Sequence, residues 1–560
     1  MFESSCEPEV DFRTRNRLKL VLFFFLFLFL AIFARLFYIQ ILNSSKYRKL
    51  AEVQHLKKVE SKAKRGNIFD RNGNLLASTI TARSFAIDPF IVSKDSNATK
   101  EFFAFGKLLG FTENKLLQIL NSEKRFVWIK RNLIEYSPTL DTFDFPGLIK
   151  LTEPKRIYLY GAATLHLLGL VNLDNKGIGG LELSFDSILS GKDGYVYFLK
   201  DARGRLLPSL ELPSKPAVDG LDLKLTIDID FQNIASYFLE QGINETKAKG
   251  GCVVAMNPKN GEILAFVSYP NFDPNQNTQL DNDRLFSYPV NFGFEPGSTI
   301  KPFIAAIALS RKLINEHTLF NGYNGKFSYG DVLITDEHPF STVNLRDALV
   351  YSSNIAFAQI ASLIPNELLE NDLKNFGFGQ KTGIPIPGEL KGYVKRTDSL
   401  TLTQQMFLGF GYGILTTPIQ LLVAYTSIAN NGIIVKPKLL ANDTTGDTKN
   451  EILDKEVVQI LNKYLVGVVN EGTAISTKLE GFEIAGKTGT SQKYQQGAYS
   501  KSSYVNTFVG FFPADNPKVI MLVLLDEPQT SIYAGSTVVP IFRKIVLALL
   551  NSKLTKYIYD

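Results

Sequence analysis

Cysteine is nearly absent from this chain of 560 residues: only Cys6 and Cys252 occur, on opposite sides of its one long apolar run. If that run spans a membrane the two cannot meet, so a disulfide framework is excluded. Histidine is almost as scarce. His55, His166, His317 and His338 are scattered, with no H-E-x-x-H sequence and no Cys/His cluster, which argues against a zinc site. Any catalysis is therefore expected to proceed without a metal and without a Ser-His-Asp triad, and no cofactor is expected. No Arg/Lys-rich stripe with interleaved aromatics stands out, and a formal charge of +6 is modest at this length, so nucleic acid is not an expected partner. Internal repeats and low-complexity tracts are missing as well.

What is present, 45% hydrophobic and 21% charged residues, is a globular composition of several domains carrying some membrane sequence. Residues 20–34 are uncharged and almost wholly apolar, and beyond Arg35 the apolar character resumes through Leu42. As a helix rising about 1.5 Å per residue, residues 20–42 reach roughly 35 Å, enough to cross a hydrocarbon core of about 30 Å with Arg35 snorkelling to the interface. No A-x-A site follows the run, so an uncleaved single-pass anchor is expected rather than a signal peptide. Arg13, Arg15, Arg17 and Lys19 flank one side, and Lys46, Arg48 and Lys49 the other, so charge alone does not orient it. Functional grounds place residues 1–19 in the cytoplasm and residues 43–560 outside.

Beyond the anchor, residues 43–215 mix short strands with helical stretches. Residues 65–77 read as a hairpin with Asn72-Gly73 in the positive-φ turn. Gly177-Ile178-Gly179-Gly180 is a tight turn that lacks the preceding strand of a nucleotide loop. Residues 213–220, rich in Pro and small residues, suggest a linker to a second unit over residues 220–553. In that unit residues 252–256 and 262–267 form a hairpin through Asn260-Gly261, residues 504–512 and 519–525 are strand-like, and residues 541–550 are a mostly apolar helix. Strands at both ends around a helical middle predict an α/β unit whose sheet is completed by its C-terminal part.

Three short motifs carry the chemistry. Ser298-Thr299-Ile300-Lys301 follows Glu295-Pro296-Gly297, and helical periodicity over residues 300–309 predicts that Ser298 opens a helix, with Pro302 harmless in the first turn. Lys301 then shares a face with Ser298 and is the available base for a hydroxyl that is a weak nucleophile until deprotonated. To be neutral it needs burial or a nearby cation, and Lys487 could be that cation. Ser352-Ser353-Asn354 lies between two helix-compatible segments. Alternation would turn Ser352 and Asn354 into a cleft, where a hydroxyl can relay a proton and an amide can hold a substrate amide.

Lys487-Thr488-Gly489-Thr490 follows a strand-like approach, and a lysine with two hydroxyls on a strand edge makes a carboxylate site, with Gly489 allowing close contact. Backbone N–H groups of Ser298 and Thr490 could form an oxyanion hole. A second K-T-G, Lys381-Thr382-Gly383, runs into Ile384-Pro385-Ile386-Pro387, whose prolines disfavour a central strand. Gly409-Phe410-Gly411-Tyr412-Gly413 lacks the Lys-Ser/Thr of a phosphate loop and is assigned to backbone packing.

These motifs read as S-x-x-K, S-x-N and K-T-G, the set shared by penicillin-binding proteins and serine β-lactamases. With FEPGSTIKPF at 294–303, YSSNIAFAQ at 351–359, GFGYGILTTPIQL at 409–421, AGKTGTSQ at 485–492, RGNIFDRNG at 65–73 and GIGGLELSFDSILSGKDG at 177–194, the chain resembles a class B penicillin-binding protein over residues 20–550. One departure is Leu159, where the family usually has proline. The resemblance implies an α/β (α+β) transpeptidase domain of β-lactamase-like fold, with a mainly antiparallel sheet flanked by helices. Before it the family carries a mixed α+β pedestal (dimerisation-type) domain and one N-terminal transmembrane helix.

It further implies a D,D-transpeptidase that cross-links peptidoglycan stem peptides through a serine acyl-enzyme and is acylated by β-lactams, with carboxypeptidase activity when water replaces the acceptor amine. Carried over, Ser298 is the nucleophile, Lys301 the base, Ser352 and Asn354 the relay and substrate-holding pair, and Lys487, Thr488 and Thr490, with Gly489 between them, the carboxylate clamp. The pedestal text looks more like the division type (FtsI-like) than the elongation type. Implied partners are a polytopic glycosyltransferase of the shape/division family and other divisome membrane proteins. A class A enzyme would need an E-D-x-x-F glycosyltransferase signature, absent here. An elongation-type enzyme, a membrane-bound β-lactam sensor or β-lactamase, and a non-catalytic scaffold are the other readings.

Overall fold

The computed structural model describes residues 12–48, 56–200, 206–208, 212–276, 285–396, 400–443, 450–495 and 497–559. Cys6 and Lys49 lie outside them. The apolar run is an α-helix over Phe12–Phe37 that continues as a π-helical turn over Tyr38–Leu42. Its span Arg15–Leu42 has 28 residues, none of its apolar window buried against protein, and is long enough to cross a bilayer at about 1.5 Å per residue. It starts earlier than the apolar run because Arg13, Arg15, Arg17 and Lys19 are good helix formers that extend the first turns.

The chain divides into two compact units, residues 1–63 with 192–219, and residues 64–191 with 220–560. In the first, Leu56–Ser61 pairs antiparallel with Gly194–Lys200, which also pairs with Leu206–Pro208 and Ser214–Lys215. The segment expected as a linker thus contributes a strand. Lys62 meets Asp193 at 2.7 Å beside this sheet.

In the second unit the predicted hairpin forms: Ile68–Phe69 pairs with the start of Leu75–Ile87 across a turn in which Gly73 takes φ +88°. Leu75–Ile87 runs antiparallel to Leu148–Tyr158 along its length and to Val127–Leu133. Phe85, Phe102 and Phe105 are fully buried beneath them. Glu182, just past the Gly-rich turn, receives Arg65 at 2.6 Å and Arg156 at 2.7 Å, all three side chains at most 1% exposed. Removing one partner of such a buried network leaves an uncompensated charge and costs about 3–5 kcal/mol. The Gly-rich turn is packing geometry: a Cβ on Gly180 would lie 2.4 Å from the nitrogen of Gly169.

The C-terminal part of this unit is built on a five-stranded antiparallel sheet. Its elements are α1 (Ile229–Thr246), β1 (Gly250–Met256), β2 (Ile263–Tyr269), α2 (Lys301–Ser310), α3 (Leu345–Val350), α4 (Asn354–Leu363), α5 (Pro418–Ala429), α6 (Lys455–Asn470), β3 (Ala485–Gln495), β4 (Ala498–Phe512), β5 (Val519–Asp526) and α7 (Ala534–Leu550). The strand order is β2-β1-β5-β4-β3, so the C-terminal strands complete a sheet begun by the first hairpin. Every residue of β1 and β5 is buried, as befits strands covered on both faces.

Helices α1 and α7 pack together on the sheet, so closely that a Cβ on Gly242 would meet Ile541 Cδ1 at 2.1 Å. Phe508 and Phe542 join α7 to β4 edge-to-face at 4.8 Å. Helices α5 and α6 also pack against the sheet, and the short α2, apolar between Lys301 and Ser310, is buried among α4, α6 and their loops. The consequence for the site is that, among the described residues, β3 is the edge strand, with one side free of strand partners.

Candidate active site

Ser298 stands in a single 3-10 turn, Gly297–Ile300, that feeds directly into α2. The turn is clamped from several sides. Gly297 takes φ +54°, its N–H donates to the carbonyl of Gly411 at 3.3 Å, and Tyr425 Oη donates to the carbonyl of Thr299 at 2.7 Å. A Cβ on Gly411 would lie 2.1 Å from the carbonyl oxygen of Gly297, so the Gly409–Gly413 run serves backbone packing here. On the other side the turn meets the free side of β3: a Cβ on Gly489 would stand 2.8 Å from Thr299 Cγ2 and 2.9 Å from the carbonyl of Pro296. The conformational freedom and small size of these glycines let S-x-x-K and K-T-G touch.

The structure brings the other predicted residues to the same place. Lys301 is fully buried, and its Nζ donates to the carbonyl of Ser352 at 2.7 Å, to Asn354 Oδ1 at 2.8 Å and to Ser352 Oγ at 3.1 Å. Lys487, equally buried, donates to Ser352 Oγ at 3.1 Å and to the carbonyl of Thr488 at 3.3 Å. Ser352 Oγ is therefore shared by two lysines. It reaches them because Ser352 adopts a left-handed φ of +61°, a conformation that costs a non-glycine residue about 1–2 kcal/mol. Ser298 itself remains partly exposed.

Thr488 Oγ1 lies 2.6 Å from Thr473 Oγ1, while Thr490 Oγ1 accepts the N–H of Ala534, an otherwise orphan donor in the first turn of α7. Among the described residues the Thr490 hydroxyl accepts this bond and donates none.

Burial lowers the pKa of both amines, because an ammonium loses its hydration there. Lys301 is driven well below the ordinary value, first by burial and then by Lys487, against the opposing pull of Asp336 and Glu337. Lys487 falls to about 7, from burial, with Glu337 opposing. The cation expected to keep Lys301 neutral is thus itself only partly charged near neutrality, and burial is the larger cause. A neutral Lys301 has two hydrogens and one lone pair, so the longest of its three bonds, to Ser352 Oγ, is the one it can give up.

Three residues that complete the site carry no motif. Asp336, at the end of the hairpin Lys326–Tyr329 and Val332–Thr335, accepts from the N–H of Asn354 at 2.6 Å and of Ile355 at 3.1 Å and from Ser353 Oγ. Ser353 points away from the lysines and caps α4 through the N–H of Ala356 at 3.0 Å. Asp336 and Ser353 together hold Ser352 and Asn354 in register. Thr473 and Tyr425 are the other two. Beside Pro296, Glu295 Oε1 accepts from the N–H of Gly413 at 2.7 Å and from Tyr499 Oη at 3.1 Å, and burial raises its carboxyl pKa. Tyr412 and Tyr499 pack edge-to-face at 5.0 Å and, with Phe407 and Tyr494, wall a neighbouring cavity of about 420 Å³. The second K-T-G is structural, its Thr382 and Gly383 N–H groups donating to Glu389.

The penicillin binding protein transpeptidase domain family matches residues 251–547, and the penicillin-binding protein dimerisation domain family matches residues 60–225. Stage V sporulation protein D of Bacillus subtilis (strain 168) is 31% identical over 94% of this chain and 83% of its own length. Peptidoglycan D,D-transpeptidase FtsI of Buchnera aphidicola subsp. Schizaphis graminum is 31% identical over 92% of this chain and 91% of its own. A crystal structure of penicillin-binding protein 3 from Mycobacterium tuberculosis complexed with aztreonam shares the fold, with a TM-score of 0.68 over 88% of this chain and 97% of that one at 24% identity. The chain belongs to the class B penicillin-binding protein family of peptidoglycan D,D-transpeptidases, with its transpeptidase and dimerisation domains and one apolar N-terminal helix consistent with a single-pass membrane anchor.

Proposed function

We propose that this protein cross-links peptidoglycan stem peptides by serine acyl transfer at the Ser298 cleft. The observation that carries the reading is the pair of fully buried lysines, Lys301 and Lys487, meeting on one hydroxyl, Ser352, beside a partly exposed serine at a helix start. Neutral Lys301 takes the proton of Ser298 as Oγ attacks the carbonyl of a D-Ala-D-Ala donor. Backbone N–H groups of Ser298 and Thr490 receive the oxyanion, and the N-terminus of α2 favours its charge. The proton passes through Ser352 to the departing D-alanine amine. Asn354 holds the donor's amide, and Lys487, Thr488 and Thr490 hold its terminal carboxylate, with Gly489 keeping β3 close to Ser298. The acyl group then goes to an amine of a neighbouring stem peptide, or to water in a carboxypeptidase turnover. β-Lactams acylate the same serine.

The role is septal, in cell division, as the resemblance of residues 65–73 and 177–194 to division-type pedestals supports. Residues 1–19 are cytoplasmic and residues 20–42 form the inner-membrane anchor. The pedestal (43–215) and transpeptidase domain (220–553) are extracytoplasmic. A membrane-embedded glycosyltransferase of the shape/division family and other divisome proteins are the partners. The test is labelling of membranes with a fluorescent penicillin, comparing the native chain with Ser298→Ala and mapping the adduct by mass spectrometry. A stable adduct on Ser298 that disappears in the variant is the expected result. Absence of labelling on folded native protein would overturn the reading.

A further inference from the structure

A cavity of about 690 Å³ lies between the pedestal strands and residues 272–276, the loop after β2, and shares no residue with the Ser298 cleft. The loop is tied to the pedestal in strand-like fashion: Asn275 Oδ1 accepts the N–H of Tyr158 at 2.9 Å, and Asn275 Nδ2 donates to its carbonyl at 2.7 Å. Four side chains lining this cavity bury a polar atom that has no hydrogen-bond partner among the described residues: Arg156 Nη2, Tyr158 Oη, Asn132 Oδ1 and Asn175 Oδ1. Leaving such groups unpaired is costly, and their gathering around one hollow calls for a reason. Arg156 is only 4% exposed and is fixed in place by Glu182 and the carbonyl of Gly66.

The charge of the lining has one sign. Lys130, Arg131, Lys155 and Arg156 face this cavity, and among the described residues no carboxylate lines it. Glu153 and Glu182, which stand behind, are taken up by Arg131 and by Arg65 with Arg156. Lys155 donates only to the carbonyl of Asn132, at 3.2 Å, and has no carboxylate partner among the described residues. Leu170, Val171 and Phe272 supply an apolar wall. We propose that this cavity is a second ligand site, which takes a short peptide through a carboxylate on Lys155 and Arg156 and an amide N–H on Asn132 and Asn175. The donor and acceptor tally selects this class. A bare phosphate would satisfy the cations and leave both amide oxygens unpaired, and an uncharged sugar would leave the cations unanswered. The volume suits a ligand of a few residues.

The sole tryptophan of the chain, Trp128, lines the same cavity, with the guanidinium of Arg131 4.5 Å from its ring. Its emission therefore reports occupancy from within the site. Full-length protein in detergent is titrated with acetyl-Ala-Ala-Ala, with the C-terminal amide of that peptide, and with acetyl-Ala-D-Ala-D-Ala. A saturable change in Trp128 emission is expected with the free acids, weakened about tenfold or more by amidation and by Lys155→Met, and about threefold by Asn175→Gly, which keeps the left-handed turn. Preference for the D-ended acid assigns the ligand to wall stem peptides, and preference for the all-L acid to a protein C-terminus. Equal binding of acid and amide overturns the proposal. So does the absence of a saturable change, or native affinity in both variants at unchanged melting temperature.

Discussion

Replacing Lys487 by methionine should make this protein more stable at neutral pH while abolishing its acylation. Lys487 is fully buried, and its folded-state pKa lies at about 7 against an ordinary 10.5. Between those two values the unfolded chain carries a proton that the native chain does not, so unfolding free energy rises with pH across that window and is flat outside it. Below pH 7 both states are protonated and the full cost of burying the charge is present. At about 1.4 kcal/mol per pH unit the gap amounts to roughly 5 kcal/mol, an upper bound because the native structure relaxes around the charge.

Methionine fills nearly the same volume without a charge, so Lys487→Met should melt several degrees above the native chain at pH 6.5, with the difference shrinking toward zero near pH 10.5. The assay is thermal unfolding of the detergent-solubilised protein followed by far-UV circular dichroism at a series of pH values. Penicillin acylation of each sample is followed in parallel. A variant that melts lower than the native chain at pH 6.5, or a difference independent of pH, would refute the reasoning. The trade is the familiar one in which a functional charge is kept at the expense of stability.

The remaining predictions concern the supports of the site. Because burial and then Lys487 depress Lys301, the rate of acylation of the native chain should rise as pH increases through the Lys301 titration, read by stopped-flow with a chromogenic β-lactam. Asp336→Ala removes the acceptor of two α4 N–H groups. It should slow acylation about tenfold or more and cost about 1–2 kcal/mol, with Asp336→Asn retaining part of both. Gly489→Ala places a methyl 2.9 Å from the carbonyl of Pro296, so the Ser298 turn or β3 must shift; acylation should fall by orders of magnitude while the melting point drops only modestly, about 1–3 kcal/mol in stability. Tyr425→Phe deletes only the bond to the Thr299 carbonyl and should cost about 1–2 kcal/mol with a smaller loss of rate.

Much of this architecture was legible along the chain because its signals are local. The 3.6-residue period after Ser298, the apolar strand-like runs in residues 252–267 and 504–525, and the Asn-Gly turns each report the geometry of their own segment. The motifs were recognisable for the same reason, since S-x-x-K needs only one helical turn to put its two side chains on a face. Boundaries slipped where neighbours decided them: α7 begins several residues before the expected 541 and carries Pro540 inside, and the supposed linker pairs as Ser214–Lys215 with Tyr195 and Val196. Backbone partners distant in sequence supply those hydrogen bonds, and no local pattern announces them.

What the sequence by itself determined was the inventory: a membrane-length apolar helix, an α/β unit closed by its C-terminal strands, and three motifs of serine acyl-transfer type. Only the tertiary structure decided that Lys301 and Lys487 converge on Ser352 with both amines out of water. Depressing a lysine pKa takes exclusion of solvent from all sides, and here α2, α4, α6 and β3 together provide it. The same holds for Asp336 and for the polar atoms stranded around the cavity beside Trp128. Their significance lies in partners gained or withheld across the fold, a property of packing that one-dimensional order does not carry.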